Sequence, residues 1–154
     1  MDKKILIVFV SFILFSCTKY AILSDKDRKH VKIIEHSLDA DTAFYRTHRW
    51  IAENFVEPKA VIKYKNDITN TIVGHMKLSY QIVSDNYSYP NREFSVVMRF
   101  EAKDNRTKIT TKIQRSFTYS SSLTKDDILK YRIKRIENSL NRLKEYLLTE
   151  TSDW

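Results

Sequence analysis

Two long segments in the middle of the chain alternate between apolar and polar side chains, and this pattern constrains the fold most. From Ile72 to Ile82 every second residue is apolar or glycine, and the same holds from Phe94 to Ala102. A period of two is typical of β-strands that bury one face. The sequence therefore predicts an antiparallel sheet with one apolar face that needs a cover and one face open to solvent.

Shorter alternating segments and turn residues extend this sheet. Residues 60–65 alternate in the same way, and Asn66-Asp67 predicts the turn that follows them. Asp104-Asn105 predicts a tight hairpin before a fourth alternating strand, which we expect over 109–117. The short apolar run at 31–34 predicts one further strand that precedes these four.

The period changes to that of an amphipathic helix in two places. Asp39 or Asp41 can cap the first helix, which Glu57-Pro58 ends. Its predicted apolar side consists of Phe44, His48, Ile51, Ala52 and Phe55, flanked by Tyr45 and Trp50. Thr124 and Asp127 resemble a capping box at the start of a second helix that extends to about Leu148.

The second helix carries an apolar seam with the spacing of a short heptad repeat. The seam consists of Leu129, Ile133, Ile136, Leu140, Leu143 and Leu147. It suits a helix that lies across the sheet, and a coiled-coil dimer through 125–148 is the alternative. The fold class is therefore α+β, in the order β-α-β-β-β-β-α, with an antiparallel sheet and two helices on one face.

The N-terminus has the features of a bacterial lipoprotein signal. Lys3 and Lys4 precede an apolar run from Ile5 to Phe15, which is too short for a permanent membrane helix. Leu14-Phe15-Ser16-Cys17 resembles a lipobox, in which the cysteine receives a diacylglycerol and further acyl chains such as palmitate. We therefore expect a signal peptide over 1–16, a lipidated N-terminus and tether over 17–29, and one α+β domain over 30–150.

A lipid on Cys17 would place the protein at the cell membrane or the outer membrane, facing the periplasm or the exterior. Acyl chains bind bilayers with about 0.8 kcal/mol per buried methylene, so two or three chains hold firmly. The modification would also leave no free thiol, because Cys17 is the only cysteine. An uncleaved anchor or a chance cysteine is the alternative interpretation of this segment.

The formal net charge of +8 favours anionic partners. On the predicted alternation, the open sheet face carries a set of basic residues that could bind an anion. This set consists of Lys63, Lys65, His75, Lys77, Arg99, Lys103 and Lys112. The export signal argues against nucleic acid and for an anionic envelope component, while a merely solvated face is the alternative.

No pattern typical of an enzyme, a metal site or a cofactor site is present. The chain has one glycine, which excludes a phosphate-binding glycine loop, and its four histidines lack a metal-binding spacing. The carboxylate pairs Asp39/Asp41 and Asp126/Asp127 lie where helix starts favour negative charge. We therefore expect no catalytic residues, no metal and no cofactor.

The segment from Thr42 to Phe117 resembles a bacterial family of lipoproteins and secreted proteins. The resemblance rests on Trp50, Ile72-Val73-Gly74, the Phe94–Ala102 strand and the Lys103-Asp104 turn, where the family often has glycine at the position of Asn105. The family is described as a domain of unknown function with a TATA-box-binding-protein-like fold. The resemblance implies that fold and an envelope setting, but not an activity or DNA binding.

The sequence therefore predicts a lipid-anchored envelope protein with a non-catalytic structural or binding role. A subunit of an envelope assembly, docking through its sheet or its C-terminal helix, is the alternative. An enzyme with an unrecognised site is a remote one.

Overall fold

The computed structural model describes residues 18–55, 61–84, 87–88, 92–120 and 123–149. Its elements, in chain order, are β1 Thr18–Ile22, α1 Asp25–Arg28, β2 Lys29–Glu35, α2 Ala40–Asn54, β3 Ile62–Asn66, β4 Thr71–Tyr80, β5 Val83–Ser84, β6 Tyr87–Ser88, β7 Arg92–Lys103, β8 Arg106–Ile113, β9 Ser116–Ser120 and α3 Lys125–Leu148. The predicted lipobox and Glu57-Pro58 lie outside the described residues, as does most of the predicted 84–91 loop.

Five strands form the central sheet in the order β2-β8-β7-β4-β3, and all neighbours are antiparallel. β7 lies in the middle and pairs along most of its length, for example Phe94 with Leu78 and Phe100 with Ile109. The predicted α+β class and antiparallel sheet are confirmed. Two short two-stranded sheets, β1-β9 and β5-β6, complete the described strands.

The alternating side chains of the three inner strands form the core. Met76, Met98 and Ile109 are at most 1% exposed, and α2 and α3 cover this side of the sheet. We call it the covered face, and the opposite side of the five-stranded sheet the open face. Burial of apolar area of this kind supplies most of the favourable free energy of folding.

α2 begins as predicted but is rotated relative to the predicted apolar side. The Asp39 carboxylate accepts a hydrogen bond from the Thr42 amide at 2.8 Å, which caps the first turn. Ala43, Thr47 and Trp50 are buried, whereas Ala52 is exposed. The prediction was wrong here because α2 packs against both the sheet and α3, so a second side of the helix is also covered.

α3 starts with the predicted capping box and directs its apolar seam inward. The Thr124 hydroxyl accepts from the Asp127 amide at 3.1 Å, and the Asp127 carboxylate accepts from the Thr124 amide at 3.1 Å. Ile136, Leu140 and Leu143 are fully buried. The seam therefore packs against the molecule's own core.

The N-terminal part of the described chain differs from the predicted tether. Thr18 to Ile22 form β1, which pairs antiparallel with β9, and Ala21 and Leu23 are buried. Residues 25–28 form a short helix before β2. Residues 18–28 therefore form a strand and a short helix instead of the expected tether, because β1 finds a strand partner. That partner, β9, comes from the end of the strand expected over 109–117, which in the structure stops at Ile113.

The predicted hairpin at Asp104-Asn105 also fastens the sheet to the start of α2. Asn105 has a φ of 63° in the left-handed region, and Lys103 pairs with Arg106 across the turn. The Asn105 amide donates to the Leu38 carbonyl at 2.9 Å, and the Asn105 carbonyl accepts from the His36 amide at 3.0 Å. This turn therefore positions the loop from which α2 begins.

Replacing Asn105 tests the need for a left-handed residue at this turn. Asn105→Ala should lower the free energy of unfolding by about 1 kcal/mol, because a β-carbon opposes this conformation and alanine lacks the short polar side chain with which asparagine tolerates it. Asn105→Gly should leave the free energy of unfolding unchanged or raise it, because glycine has no β-carbon. Both variants keep the backbone hydrogen bonds. Urea unfolding compares the two, and equal stabilities of the Ala and Gly variants would contradict the explanation.

His36 is buried beside the same turn and hydrogen-bonds Thr107. His36 Nε2 lies 2.9 Å from Thr107 Oγ1, and His36 is 8% exposed. Burial lowers the pKa of His36, and the positive charge of Arg46 lowers it further. The unfolded chain, with an ordinary histidine pKa of about 6.5, therefore binds this proton more readily than the folded chain.

Acidification should therefore destabilise the fold through His36. Stability is fully present above the unfolded pKa and decreases as the pH falls through about 6.5 towards the lower pKa of the folded chain. Urea unfolding across this range should show a smaller pH slope for His36→Gln than for the parent chain. His48→Gln provides a comparison. Burial also lowers the pKa of His48, so this variant should reduce the pH slope as well. An unchanged slope in His36→Gln would contradict the assignment.

Candidate functional site

A concave pocket of about 540 Å³ lies on the open face and is surrounded by positive charge. Its cationic residues are Arg28, Lys63, Lys77, Lys112 and Arg115, with His75 beside them. No described aspartate or glutamate lines it. We call this site, defined by these six residues, the basic pocket.

Strand register explains why the side chains converge. Val97 of β7 lies between His75 of β4 and Lys112 of β8, its direct partners on either side. Lys77 pairs with Ser95, the next residue of β7 on this face. Neighbouring strands are about 4.8 Å apart, so the backbones of His75 and Lys112 lie about 10 Å from each other, with Val97 between them.

The walls of the pocket come from the two places where the chain leaves regular strand geometry. On one side, the chain bends between β8 and β9, where Gln114 and Arg115 lie, and the Gln114 amide donates to the Ser95 carbonyl at 3.0 Å. On the other side, Lys63 occupies an irregularity in β3. The concavity therefore depends on the backbone and does not need a ligand to form.

Most of the positive charge in the basic pocket is uncompensated. Arg28 is anchored, since its Nε donates to the Ile113 carbonyl at 2.9 Å and its Nη1 pairs with Asp25 at 3.0 Å. Within the described ranges, no carboxylate lies within ion-pair distance of Lys63, Lys77, Lys112 or Arg115. Like charges at this spacing repel, so an anion would relieve that repulsion.

Of the seven basic residues predicted for the open face, the structure brings Lys63, His75, Lys77 and Lys112 together. Lys65 lies on the other side: its Nζ is 5.2 Å from the ring centroid of the buried Phe44 and 3.0 Å from Asp67 Oδ1. The reason is a bulge in β3. Ile62 pairs with Gly74, but Tyr64 pairs with Val73, so one extra residue reverses the alternation before Lys65.

Arg99 and Lys103 are on the open face but outside the basic pocket. Arg99 Nη2 pairs with Glu101 Oε1 at 3.3 Å, and Lys108 lies 3.9 Å from the same carboxylate. Lys103 is next to the hairpin turn, six residues along β7 from Val97, or about 20 Å away. The open face therefore has two separate parts. One is the compact basic pocket, and the other is a charge-paired region around Arg99, Glu101 and Lys108.

Arg28 and Arg115 are the pocket residues that sequence reasoning missed. Arg28 lies in the predicted tether, and in the structure it ends α1. Arg115 lies within the strand predicted over 109–117, on the side predicted to be covered, but in the structure it lies between β8 and β9. Their only sequence signal was basic character near the ends of predicted strands. The β1-β9 ribbon and α1 bring them to the sheet.

A second cavity, of about 570 Å³, lies beside the edge of β4 beyond the end of β3. It mixes Glu93 with Arg135 and Arg142, and the Arg135 Nε donates to the Ser79 carbonyl at 2.9 Å. Its charges are therefore at least partly compensated, and it is a weaker candidate for anion binding than the basic pocket.

Arg132 is a buried cation in the core. It is 4% exposed, and its guanidinium carbon lies 4.2 Å from the Phe117 ring centroid and 5.2 Å from that of Phe94. Its Nε and Nη1 have no hydrogen-bond acceptor among the described residues. Cation–π contacts with these rings hold α3 against β7 and β9.

Two other features of the described residues concern possible ligands and membranes. They contain no cluster of three or more histidine, cysteine or acidic side chains that could hold a metal ion. None of their helices is both long and apolar enough to cross a membrane.

Residues 30–119 match the model of a family described as a domain of unknown function (DUF4468) with a TBP-like fold. The match includes the predicted resemblance from Thr42 to Phe117 and most of the sheet. No curated protein matches the chain in sequence.

Two solved structures have a similar fold. A TBP-like protein from Parabacteroides distasonis is 14% identical, with a TM-score of 0.59 over 82% of this chain and 96% of that one. A DUF4468 family protein from Bacteroides ovatus is 10% identical, with a TM-score of 0.55 over 84% of this chain and 92% of that one. At these identities the likeness concerns the fold alone.

Proposed function

Because the chain belongs to the DUF4468 family of domains of unknown function with a TBP-like fold, we propose its role from the residues of its own surface. The protein is a lipid-anchored envelope protein with a non-catalytic binding role. Cys17 carries the lipid, and the basic pocket binds an anionic component of the envelope. The observation that carries the binding role is the convergence of Lys63, Lys77, Lys112 and Arg115 in a pocket that no described carboxylate lines.

The residues of the basic pocket suit anion binding better than catalysis. Lysine and arginine side chains around a preformed concavity attract an anion, and their attraction weakens with salt. Catalysis would also require a positioned nucleophile or general base. The basic pocket holds His75 and Ser95, but they pair with different residues of the sheet, Val97 and Lys77, and no described hydrogen bond joins them.

The lipid anchor rests on Leu14-Phe15-Ser16-Cys17 and is tested in bacteria. Wild-type protein should fractionate with membranes and carry lipid mass on Cys17, whereas Cys17→Ala should lack that mass. Mass spectrometry of the purified N-terminal peptide reads this out directly. An unmodified Cys17 in the membrane-associated wild-type protein would refute the anchor.

The anion-binding role is tested by charge reversal in the basic pocket. The full chain in neutral detergent should bind immobilised dextran sulfate at low salt and elute at high salt. Lys77→Glu with Lys112→Glu should weaken binding about tenfold or more, because four units of charge change on one surface.

The matched control reverses the same charge on α3. Lys134→Glu with Lys144→Glu alters two exposed lysines on the helix and should retain most of the binding. Equal losses in both double variants would show that net charge alone governs retention, which would contradict a specific pocket. Circular dichroism melting establishes that each variant is folded.

A subunit of an envelope assembly remains the second candidate, and one observation favours it. Val31 and Ile33 of the edge strand β2 are 45% and 56% exposed on the open face, and Tyr64 of β3 is 48% exposed. Exposed apolar residues on a sheet are typical of a protein contact. A stoichiometric protein that co-purifies from detergent-solubilised envelopes, and is lost in Ile33→Lys, would favour this role.

A further inference from the structure

The position of the basic pocket relative to Cys17 narrows the class of anion. β1 begins at Thr18, directly after Cys17 in the chain, and runs back along β9 to the sheet. The Leu23 amide, just after β1, donates to the carbonyl of Arg115 at 2.8 Å, and Arg115 lines the basic pocket. From Thr18 to Leu23 the strand extends about 17 Å.

The ribbon that leads towards Cys17 therefore leaves the sheet at the end where the basic pocket lies. The hairpin with Lys103 and Asn105 is at the opposite end of β7 and β8, because Lys112 and Ile113 end β8 where Arg106 begins it. The charge-paired region lies towards the hairpin, farther along the strands from the point where this ribbon meets the sheet.

The outward side of β1 has the composition of a surface that contacts lipid. Tyr20 and Ile22 are 63% and 58% exposed, while the alternate residues Ala21 and Leu23 are buried. An aromatic and an aliphatic side chain next to cationic residues are typical of segments that rest at the headgroup boundary. A soluble acidic partner would not require this apolar pair.

We propose that the basic pocket binds the phosphate-bearing headgroups of anionic lipids in the same membrane that holds the anchor. This inference rests on the proposed function, since it uses both the lipid on Cys17 and the anion-binding role. It adds the ligand class and an orientation: the open face lies against the bilayer, and α2 and α3 point away from it. Each lysine near an anionic surface favours contact about fivefold.

Lysine labelling of the reconstituted lipidated protein tests the orientation. The full chain is placed in vesicles of phosphatidylcholine alone or mixed with phosphatidylglycerol, and an amine-reactive ester is followed by mass spectrometry. Phosphatidylglycerol should slow labelling of Lys63, Lys77 and Lys112 by about fivefold, and high salt should reverse the effect. Lys130, Lys134 and Lys144, exposed on α3, should react equally in both vesicles.

The outcomes separate the two proposals. Unchanged labelling of the pocket lysines, together with dextran sulfate binding that depends on Lys77 and Lys112, would overturn the headgroup inference and leave the anion-binding role. Equal protection of the α3 lysines would overturn the orientation. If neither dextran sulfate binding nor lysine labelling depends on the pocket, or if Cys17 is unmodified, the proposed function is overturned as well.

Discussion

Burial of one face of the five-stranded sheet is the constraint on which the rest of this structure depends. The apolar side chains of β4, β7 and β8 share that face, and α2 and α3 must lie across it to exclude water. Because both long helices occupy one side, the described part of the other side is left to strand side chains. The open face thus results from core formation, and its charge and polarity depend on the residues that alternate with the core residues in the same strands.

The strands and helices that bury this face were predictable from the sequence. Alternation over β4 and β7, the Asp104-Asn105 turn and the Thr124 capping box are local signals, and each has a local physical cause. The rotation of α2 was not predictable in the same way. Trp50 is buried because α3 packs on a second side of α2, and that contact joins segments about a hundred residues apart.

The candidate site was predicted in part, and the failures have two physical reasons. A bulge reverses the alternation within β3, so Lys63 stays on the open face while Lys65 moves against Phe44. A bulge adds one residue to the strand without leaving a clear mark in composition. Arg28 and Arg115 were missed because their positions depend on the pairing of β1 with β9, and β1 is a segment of five residues without a strong strand pattern.

The β1-β9 ribbon has a consequence for the order in which the chain can fold. Thr18 pairs with Ser120, so this ribbon closes a loop of about a hundred residues and forms only after the segments between them are available. Because synthesis proceeds from the N-terminus, residues 18–22 stay without their strand partner until Ser120 has been made. β1 is therefore the first described strand in the chain but one of the last to find its partner.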